Sequence, residues 1–323
     1  LNGADAGHSD LNGCSFFLRL LISYLAPMTL LDGISLSQTI KGELARQIEQ
    51  RRVAGLKVPH LAAVLVGENG ASLTYVGAKV KACEQVGFHS TLVRLPESIS
   101  EMELLLEIQR LNDDPDIDGY IVQLPLPAHI NDELILLAIN PSKDVDGFHP
   151  ENIGRMALGL PTYLPATPMG ILTMLERYKV PTDGRHAVVV GRSHIVGLPM
   201  SILLQRNASP GNCTVTLTHS RTKNLAELCR SADILVAALG KPGFITADMV
   251  KEGAAVIDVG ITRVDDASKK SGFRIAGDVD FDEVAPKCSF ITPVPGGVGP
   301  MTIVSLLTNA LNASIRNAEA SVH

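Results

Sequence analysis

Apolar positions along this chain fall into two rhythms that take turns. Leu36, Ile40, Leu44 and Ile48 stand at the spacing of an amphipathic helix, which predicts one over 35–52. Leu61-Ala-Ala-Val-Leu-Val66 is then an unbroken apolar run ending at Gly67, as expected of a strand buried on both faces. The same reading continues with a helix over 71–86 stopped by Gly87, a strand over 90–95 and a helix over 100–111. A strand over 119–123 runs into Leu124-Pro-Leu-Pro127 and precedes a helix over 131–139. After the polar loop Pro141–Gly147 and a Gly/Pro-rich connection, a long helix over 167–177 is placed to bridge two halves. Strands follow from His186, over 214–218, over 234–238 and over 255–259, then a polar excursion over 265–272 and a closing helix over 301–317. This alternation predicts an α/β protein with parallel sheets in two lobes. Residues 28–145, completed by a C-terminal helix over 300–318, are expected to form the first lobe, and residues 146–299 the second. No internal repeat is evident.

The first 27 residues break the pattern. Leu1 to Asp10 is polar and Gly-rich, and Cys14 to Ala26 is an apolar run interrupted by Arg19. That run is shorter than the ~20 apolar residues a bilayer span needs, and no basic region precedes it as in a signal peptide. Residues 1–27 are therefore expected to be an extension outside the fold, with Met28 as the natural start.

Composition narrows the function classes. The chain has 323 residues, enough for about two domains, and 46% hydrophobic residues, ample for a large core. A net charge of −6 without any Lys/Arg block argues against a nucleic-acid surface. The five cysteines, Cys14, Cys83, Cys213, Cys229 and Cys288, are scattered without metal-ligand spacing and read as reduced thiols of a cytoplasmic protein. No membrane partner and no metal site are expected.

The strongest candidate for chemistry is Val188-Val-Val-Gly-Arg-Ser-His-Ile-Val-Gly-Leu-Pro-Met200. An apolar strand ends at Gly191, a second glycine follows at Gly197, and a helical pattern begins there. Such a turn aims backbone N–H groups and a helix N-terminus at an anion. It departs from Gly-x-Gly-x-x-Gly, because Ser193 replaces the middle glycine and Arg192 adds a fixed cation. The bland reading is an ordinary βα turn with a surface arginine. The next strand, Thr214-Val-Thr-Leu-Thr218, is followed by His219-Ser-Arg-Thr222, where an NAD site would normally place Asp or Glu to bind the ribose 2′-hydroxyl. Arg192 and Ser220 suit a 2′-phosphate instead, so NADP is favoured over NAD. Ser220 is equally able to cap a helix starting near Asn224.

In the first lobe Tyr75 and Lys79 are four apart and share a helix face. Taken alone, such a pair is common decoration. Short-chain dehydrogenases use the same spacing, but there it follows the nucleotide turn, and here it precedes it by over a hundred residues. Gln123 ends a strand, where a polar side chain is well placed for a ligand. Asp146, in Lys143-Asp-Val-Asp-Gly147, can bind an amidine-like heterocycle edge through two parallel hydrogen bonds, or can be an Asx-turn residue before Gly147.

Together these motifs resemble the bifunctional methylenetetrahydrofolate dehydrogenase/methenyltetrahydrofolate cyclohydrolase family. The resemblance runs from about Leu31 to about Asn312. It rests on Ser72-Leu-Thr-Tyr-Val-Gly-Ala-Lys79, Val122-Gln-Leu-Pro-Leu-Pro127, Lys143-Asp-Val-Asp-Gly147, Thr167-Pro-Met-Gly170, Gly191-Arg-Ser-His-Ile-Val-Gly197 and Thr292-Pro-Val-Pro-Gly-Gly-Val-Gly-Pro300, in the family's order. One departure is visible: Ala166 stands where the family usually has Cys. The resemblance implies oxidation of 5,10-methylenetetrahydrofolate by NADP⁺, then hydrolysis of the 5,10-methenyl cation to 10-formyltetrahydrofolate, in one cleft. It implies Lys79 as the proton-handling group, oriented by Gln123, with Tyr75 stacking on the folate and Asp146 on the pterin amino edge. Pro295, Gly296 and Gly297 would line the substrate. Gly191, Arg192, Ser193, Val196, Ser220 and Ile261 would meet the cofactor. A homodimer through the cofactor lobe is likewise implied. The rivals are an NAD-preferring monofunctional folate dehydrogenase, a shikimate- or amino-acid-type dehydrogenase, and a non-catalytic nucleotide-binding scaffold.

Overall fold

The computed structural model describes residues 28–269 and 272–320, so the extension expected over 1–27 lies outside the described residues. Two parallel sheets organise the chain. Strand β1 (Thr29–Leu30) and helix α1 (Gly33–Val53) lead into β2 (His60–Val66), α2 (Gly70–Val86), β3 (His89–Leu95), α3 (Glu101–Asp113), β4 (Gly119–Val122) and α4 (Asp132–Ala138). The three longer strands form a sheet in the order β3-β2-β4, all parallel. Helix starts follow the capping chemistry in the sequence. Asp32 accepts from the Ser35 N–H at the start of α1, and Ser100 and Glu103 form a capping box on α3.

Helices α5 (Pro150–Ala157) and α6 (Ala166–Arg177) connect to the second half. There β5 (His186–Val190), α7 (Gly197–Gln205), β6 (Thr214–Thr218), α8 (Leu225–Arg230), β7 (Ile234–Ala237) and β8 (Ala255–Asp258) alternate. A hairpin, β9 (Thr262–Asp265) and β10 (Phe273–Ala276), then a short helix α9 (Phe281–Val284), β11 (Phe290–Ile291) and the long α10 (Val298–Ala320) complete the described chain. The second sheet has the order β1-β11-β8-β7-β5-β6 and is parallel throughout. Thr29–Leu30, grouped with the first lobe in the sequence, thus extends the far edge of the second sheet.

Both sheets reverse their winding beside a central strand. β2 lies between β3 and β4, and β5 lies between β6 and β7. Such reversals open a crevice at the carboxyl ends of the strands, where α/β proteins bind ligands. The halves share one core. Buried Ile40 and Leu44 of α1, Val76 and Cys83 of α2, Ile171 and Leu175 of α6, and Met301 and Leu307 of α10 belong to a single cluster that also reaches both sheets. Helix α10 is long and apolar enough to cross a membrane by length and composition, and its apolar surface is mostly buried in this core. It meets α6 closely: a Cβ added to Gly170 would lie 2.9 Å from the Met301 Cβ, and the Thr167 and Thr302 hydroxyls are 3.0 Å apart. Ala166 opens α6 and is 1% exposed, so its small side chain is enclosed in the core.

Candidate active site

The two crevices face one region, and the candidate residues come to it from separate elements. Helix α2 is started by Asn69, whose side chain accepts the Ser72 N–H at 3.2 Å. One face of it carries Tyr75 and Lys79. Lys79 is buried, and its Nζ donates to the Gln123 Oε1 at 3.2 Å. Gln123 follows β4 directly. Its backbone N–H bonds the Val64 carbonyl, and its Nε2 donates to the Leu124 carbonyl at 2.8 Å. With the amide nitrogen committed there, the amide oxygen is left for Lys79.

Asp146 enters from the loop after α4, which is rigidly held. The buried Asp144 carboxylate accepts N–H groups from Gly147 and His149 and the Asn152 side chain. Lys143 donates to the carbonyls of Leu111 and Asp114, and Asn309 of α10 donates to those of Val145 and Leu164. The first aspartate of the motif thus fixes the turn and leaves the second free. The half-buried Asp146 carboxylate accepts no hydrogen bond from any described residue. Burial pushes this carboxyl above its usual range, Lys79 pulls it back, and Asp144 adds to the push. An ionised group left unpaired out of water is costly, so a donor from outside the chain would stabilise Asp146.

A cavity of about 520 Å³ opens beside these groups, lined among others by Val122, Leu124, Asp146, Phe148, His194 and Ile195. Gln123 lies between two of its lining residues in the chain, and His194 and Ile195 belong to the turn after β5. Tyr75 lines a separate groove of about 370 Å³, with Ile34, Lys41, Gly299 and Pro300. Burial raises the pKa of its phenol, whose oxygen bonds no described residue. The structure therefore joins Lys79, Gln123 and Asp146, and sets Tyr75 one turn away on the same helix, facing the second groove.

The loop of Pro295, Gly296 and Gly297 touches that groove's lining residue Ile34. The Gly296 carbonyl accepts the Ile34 N–H, and Gly296 has φ +107°. A Cβ on Gly33 would lie 1.8 Å from the Gly297 oxygen, so the start of α1 and this loop touch backbone to backbone.

The turn after β5 lies at the carboxyl end of the strand where the second sheet reverses. Gly191 has φ +115°, and an added Cβ would stand 2.1 Å from the Ala238 carbonyl oxygen. A Cβ on Gly197 would lie 2.0 Å from the Gly191 oxygen. The Ser193 hydroxyl accepts N–H groups of Val196 and Gly197 at 3.3 and 3.4 Å, folding the turn back onto the start of α7. Val196 is buried beneath it. Arg192 is exposed and bonds no described residue. Beside it, the Gly191 N–H bonds the Thr218 carbonyl, placing the turn after β6 alongside. That second turn is closed by His219 and Thr222, and Asn224 is the cap of α8, with no side-chain bond. Ser220 is exposed and caps nothing. Ile261, 50% exposed, follows β8 at the same edge. Among the described residues no group of three His, Cys, Asp or Glu side chains is placed to hold a metal.

Two residues that sequence reasoning passed over underlie this edge. Asp258 ends β8 and Asp278 follows β10, and both are buried. Asp258 accepts the N–H groups of Gly260, Asp278 and Val279, while burial pushes its carboxyl up to about 6 against the pull of those bonds. In the sequence Asp258 falls within the strand expected over 255–259 and Asp278 follows Gly277, and only long-range contacts bring them together.

Known proteins agree with this layout. The catalytic domain of tetrahydrofolate dehydrogenase/cyclohydrolase matches residues 31–146, and the NAD(P)-binding domain of the same family matches residues 165–318. A bifunctional protein FolD of Cytophaga hutchinsonii is 66% identical over 287 residues, covering 89% of this chain and 99% of that one. The crystal structure of the bifunctional FolD of Campylobacter jejuni superposes with a TM-score of 0.84 at 48% identity, over 90% of this chain and 99% of that one. The Trypanosoma brucei FolD, solved with NADP cofactor and inhibitor, gives 0.84 at 38% identity, over 90% and 98%. The chain belongs to the tetrahydrofolate dehydrogenase/cyclohydrolase family and is an enzyme with both of those activities.

Proposed function

We propose that one cleft carries out both reactions, with NADP⁺ as oxidant, Lys79 as the proton-handling group and Asp146 as the anchor of the pterin ring. The observation that carries this reading is the junction of Lys79, Gln123 and Asp146 beside a cavity that also touches the turn after β5. Tyr75 covers the folate from the side of the second groove, and Pro295, Gly296 and Gly297 contribute to the substrate side as the resemblance implies.

The turns after β5 and β6 suit the cofactor. The Gly191 and Gly197 backbones leave no room for side chains, Arg192 and Ser220 are exposed without partners, and no carboxylate follows β6 to repel a 2′-phosphate. The NADP-bound Trypanosoma brucei relative supports the same choice. Bound NADP⁺ supplies the hydride acceptor. Oxidation at a carbon flanked by two nitrogens needs little acid catalysis, so the chain's task there is orientation. Hydrolysis adds water to the methenyl carbon, opens the ring and releases a proton. Lys79 is the group placed to handle that proton, while its bond to Gln123 holds its position. The reading includes the homodimer that the resemblance implies and the cytoplasmic setting that the scattered cysteines suggest, and the net charge of −6 argues against a nucleic-acid partner.

Cofactor choice tests the first part. Arg192→Ala raises the KM for NADP⁺ by about 10–100-fold, the loss of one charge-assisted phosphate contact, and changes that for NAD⁺ by less than about threefold. Equal losses for both cofactors would remove the 2′-phosphate argument.

Asp146 gives a pH test. The group must be ionised to accept two donors, and its pKa is raised. The KM for folate is therefore flat at high pH and climbs as pH falls through a range above that of an ordinary carboxylate. Asp146→Asn raises this KM by about 10–100-fold and abolishes the acid limb. An unchanged acid limb in the variant would assign the titration to another group.

A further inference from the structure

We propose that Asp278, held in place by Asp258, is a positioning residue for the nicotinamide half of the cofactor, acting through the backbone it grips. The inference deepens the NADP reading and rests on it.

The Asp278 carboxylate, fully buried, receives three consecutive backbone N–H groups from the turn after β7. Leu239 and Gly240 donate to its Oδ2 at 2.5 and 3.0 Å, and Lys241 donates to its Oδ1 at 2.7 Å. That turn begins at Ala238, whose carbonyl stands against Gly191 with no space for a Cβ between them. The position of residues 238–241 therefore determines one wall of the turn after β5. Asp278 is itself held by Asp258, which accepts the Asp278 N–H on Oδ1 at 2.9 Å and the Val279 N–H on Oδ2 at 3.0 Å. The same Oδ1 accepts the N–H of Gly260 at 2.9 Å, directly before Ile261. Thr292 completes the set: its hydroxyl accepts the Asp258 N–H at 2.7 Å and leads into the loop of Pro295 to Gly297.

Two carboxylates thus tie together the turns after β7 and β8, and the Asp258 backbone bonds Thr292 at the start of the 292–297 loop. These are the segments at the carboxyl edge of the sheet on the β7–β8 side of β5, away from Arg192 and the β6 turn. A dinucleotide laid across this edge with its 2′-phosphate at Arg192 and Ser220 places its nicotinamide half on that side. No slack is available. A Cβ on Gly260 would lie 2.5 Å from the Asp278 N, and one on Gly277 would lie 1.9 Å from the Asp258 Oδ2. The hairpin of β9 and β10 leaves from Gly260 and returns at Gly277, so the pair also closes its base.

An asparagine at 278 keeps the shape but presents an NH₂ where the present group only accepts. With three backbone donors facing it, at least one loses its acceptor and the turn must shift. The test is a split that loss of folding does not produce. Asp278→Asn is assayed for NADP⁺-dependent oxidation, for hydrolysis of supplied methenyltetrahydrofolate without cofactor, and for binding of 2′,5′-ADP, which lacks the nicotinamide. The KM for NADP⁺ is expected to rise and the oxidation kcat to fall, each by about tenfold, the cost of one unpaired buried group. Hydrolysis stays within about twofold, and 2′,5′-ADP affinity falls by less than the NADP⁺ KM rises. Parallel losses in all three, or no loss of oxidation, overturn the assignment. If Asp278→Asn does not fold, Asp258→Asn carries the same three measurements and the same expected split, and its absence there overturns the assignment equally. Wild-type protein run alongside separates the two levels: no NADP⁺-dependent turnover in it contradicts the cofactor reading itself.

Discussion

Lys79→Met lowers the cyclohydrolase rate by about 10²–10⁴-fold, the range supplied by one positioned acid–base group, and the dehydrogenase rate by less than about tenfold. The reason is the difference in proton traffic. Hydride leaves a carbon that its two nitrogens already stabilise, whereas hydrolysis must take a proton from water. Lys79 is 7% exposed and its Nζ bonds Gln123, so methionine fills the space and removes only the amine. The variant also takes away the cation that pulls the Asp146 carboxyl down, so its folate KM climbs with falling pH at a higher pH than in the wild type. Rates for the two steps, measured separately on supplied methylene- and methenyltetrahydrofolate, check this. Formyl product forming well above the spontaneous rate in the variant would assign the proton to another group.

Gly191→Ala is expected to be the most damaging single-methyl change in the cofactor turn. The residue has φ +115°, outside the range comfortable for a side chain, and the new Cβ would press on the Ala238 carbonyl oxygen at 2.1 Å. Both partners are backbone and neither can rotate away. The strain costs about 3 kcal/mol, from a disfavoured backbone conformation and overpacking together. It is relieved by displacing the turn that receives the cofactor phosphates. NADP affinity therefore falls by more than about 100-fold, while hydrolysis of supplied methenyltetrahydrofolate survives. Calorimetric titration with NADP and a thermal melt of the free protein measure the two effects. Wild-type affinity in the variant would show that the turn does not hold the cofactor.

Much of this fold is legible because parallel strands buried on both faces announce themselves. Leu61–Val66 and Val188–Val190 are unbroken apolar runs of buried strands, and α3 and α4 between them carry side-chain caps at Ser100 and Asn131. What escaped has physical reasons. Helix α5 is eight residues long and hides in a Gly/Pro-rich stretch. Its start is a proline preceded by His149, whose ring nitrogen accepts the Glu151 N–H, and it buries only Asn152 and Met156. Strands β1 and β11 have two residues each, too few for any periodicity, and they pair across some 260 residues of chain. The hairpin of β9 and β10 was legible only as a polar excursion, because its sides alternate weakly and Arg263 stacks on Phe273 instead of entering a core.

In the site, Lys79 and Gln123 are adjacent only because α2 follows the central strand of the first sheet and Gln123 follows its neighbour. Motif resemblance named them, but spacing alone could not join them. The two aspartates of Lys143-Asp-Val-Asp-Gly147 look alike in sequence. The structure separates them by their partners, since Asp144 takes three donors and Asp146 takes none from a described residue.

The most direct test of the account is an assay of the purified protein on 5,10-methylenetetrahydrofolate with NADP⁺ or NAD⁺, following methenyl and 10-formyl products together. The account predicts turnover through to 10-formyltetrahydrofolate with a clear preference for NADP⁺. No folate oxidation with either cofactor, or oxidation that stops at the methenyl compound beyond its spontaneous hydrolysis, would contradict it.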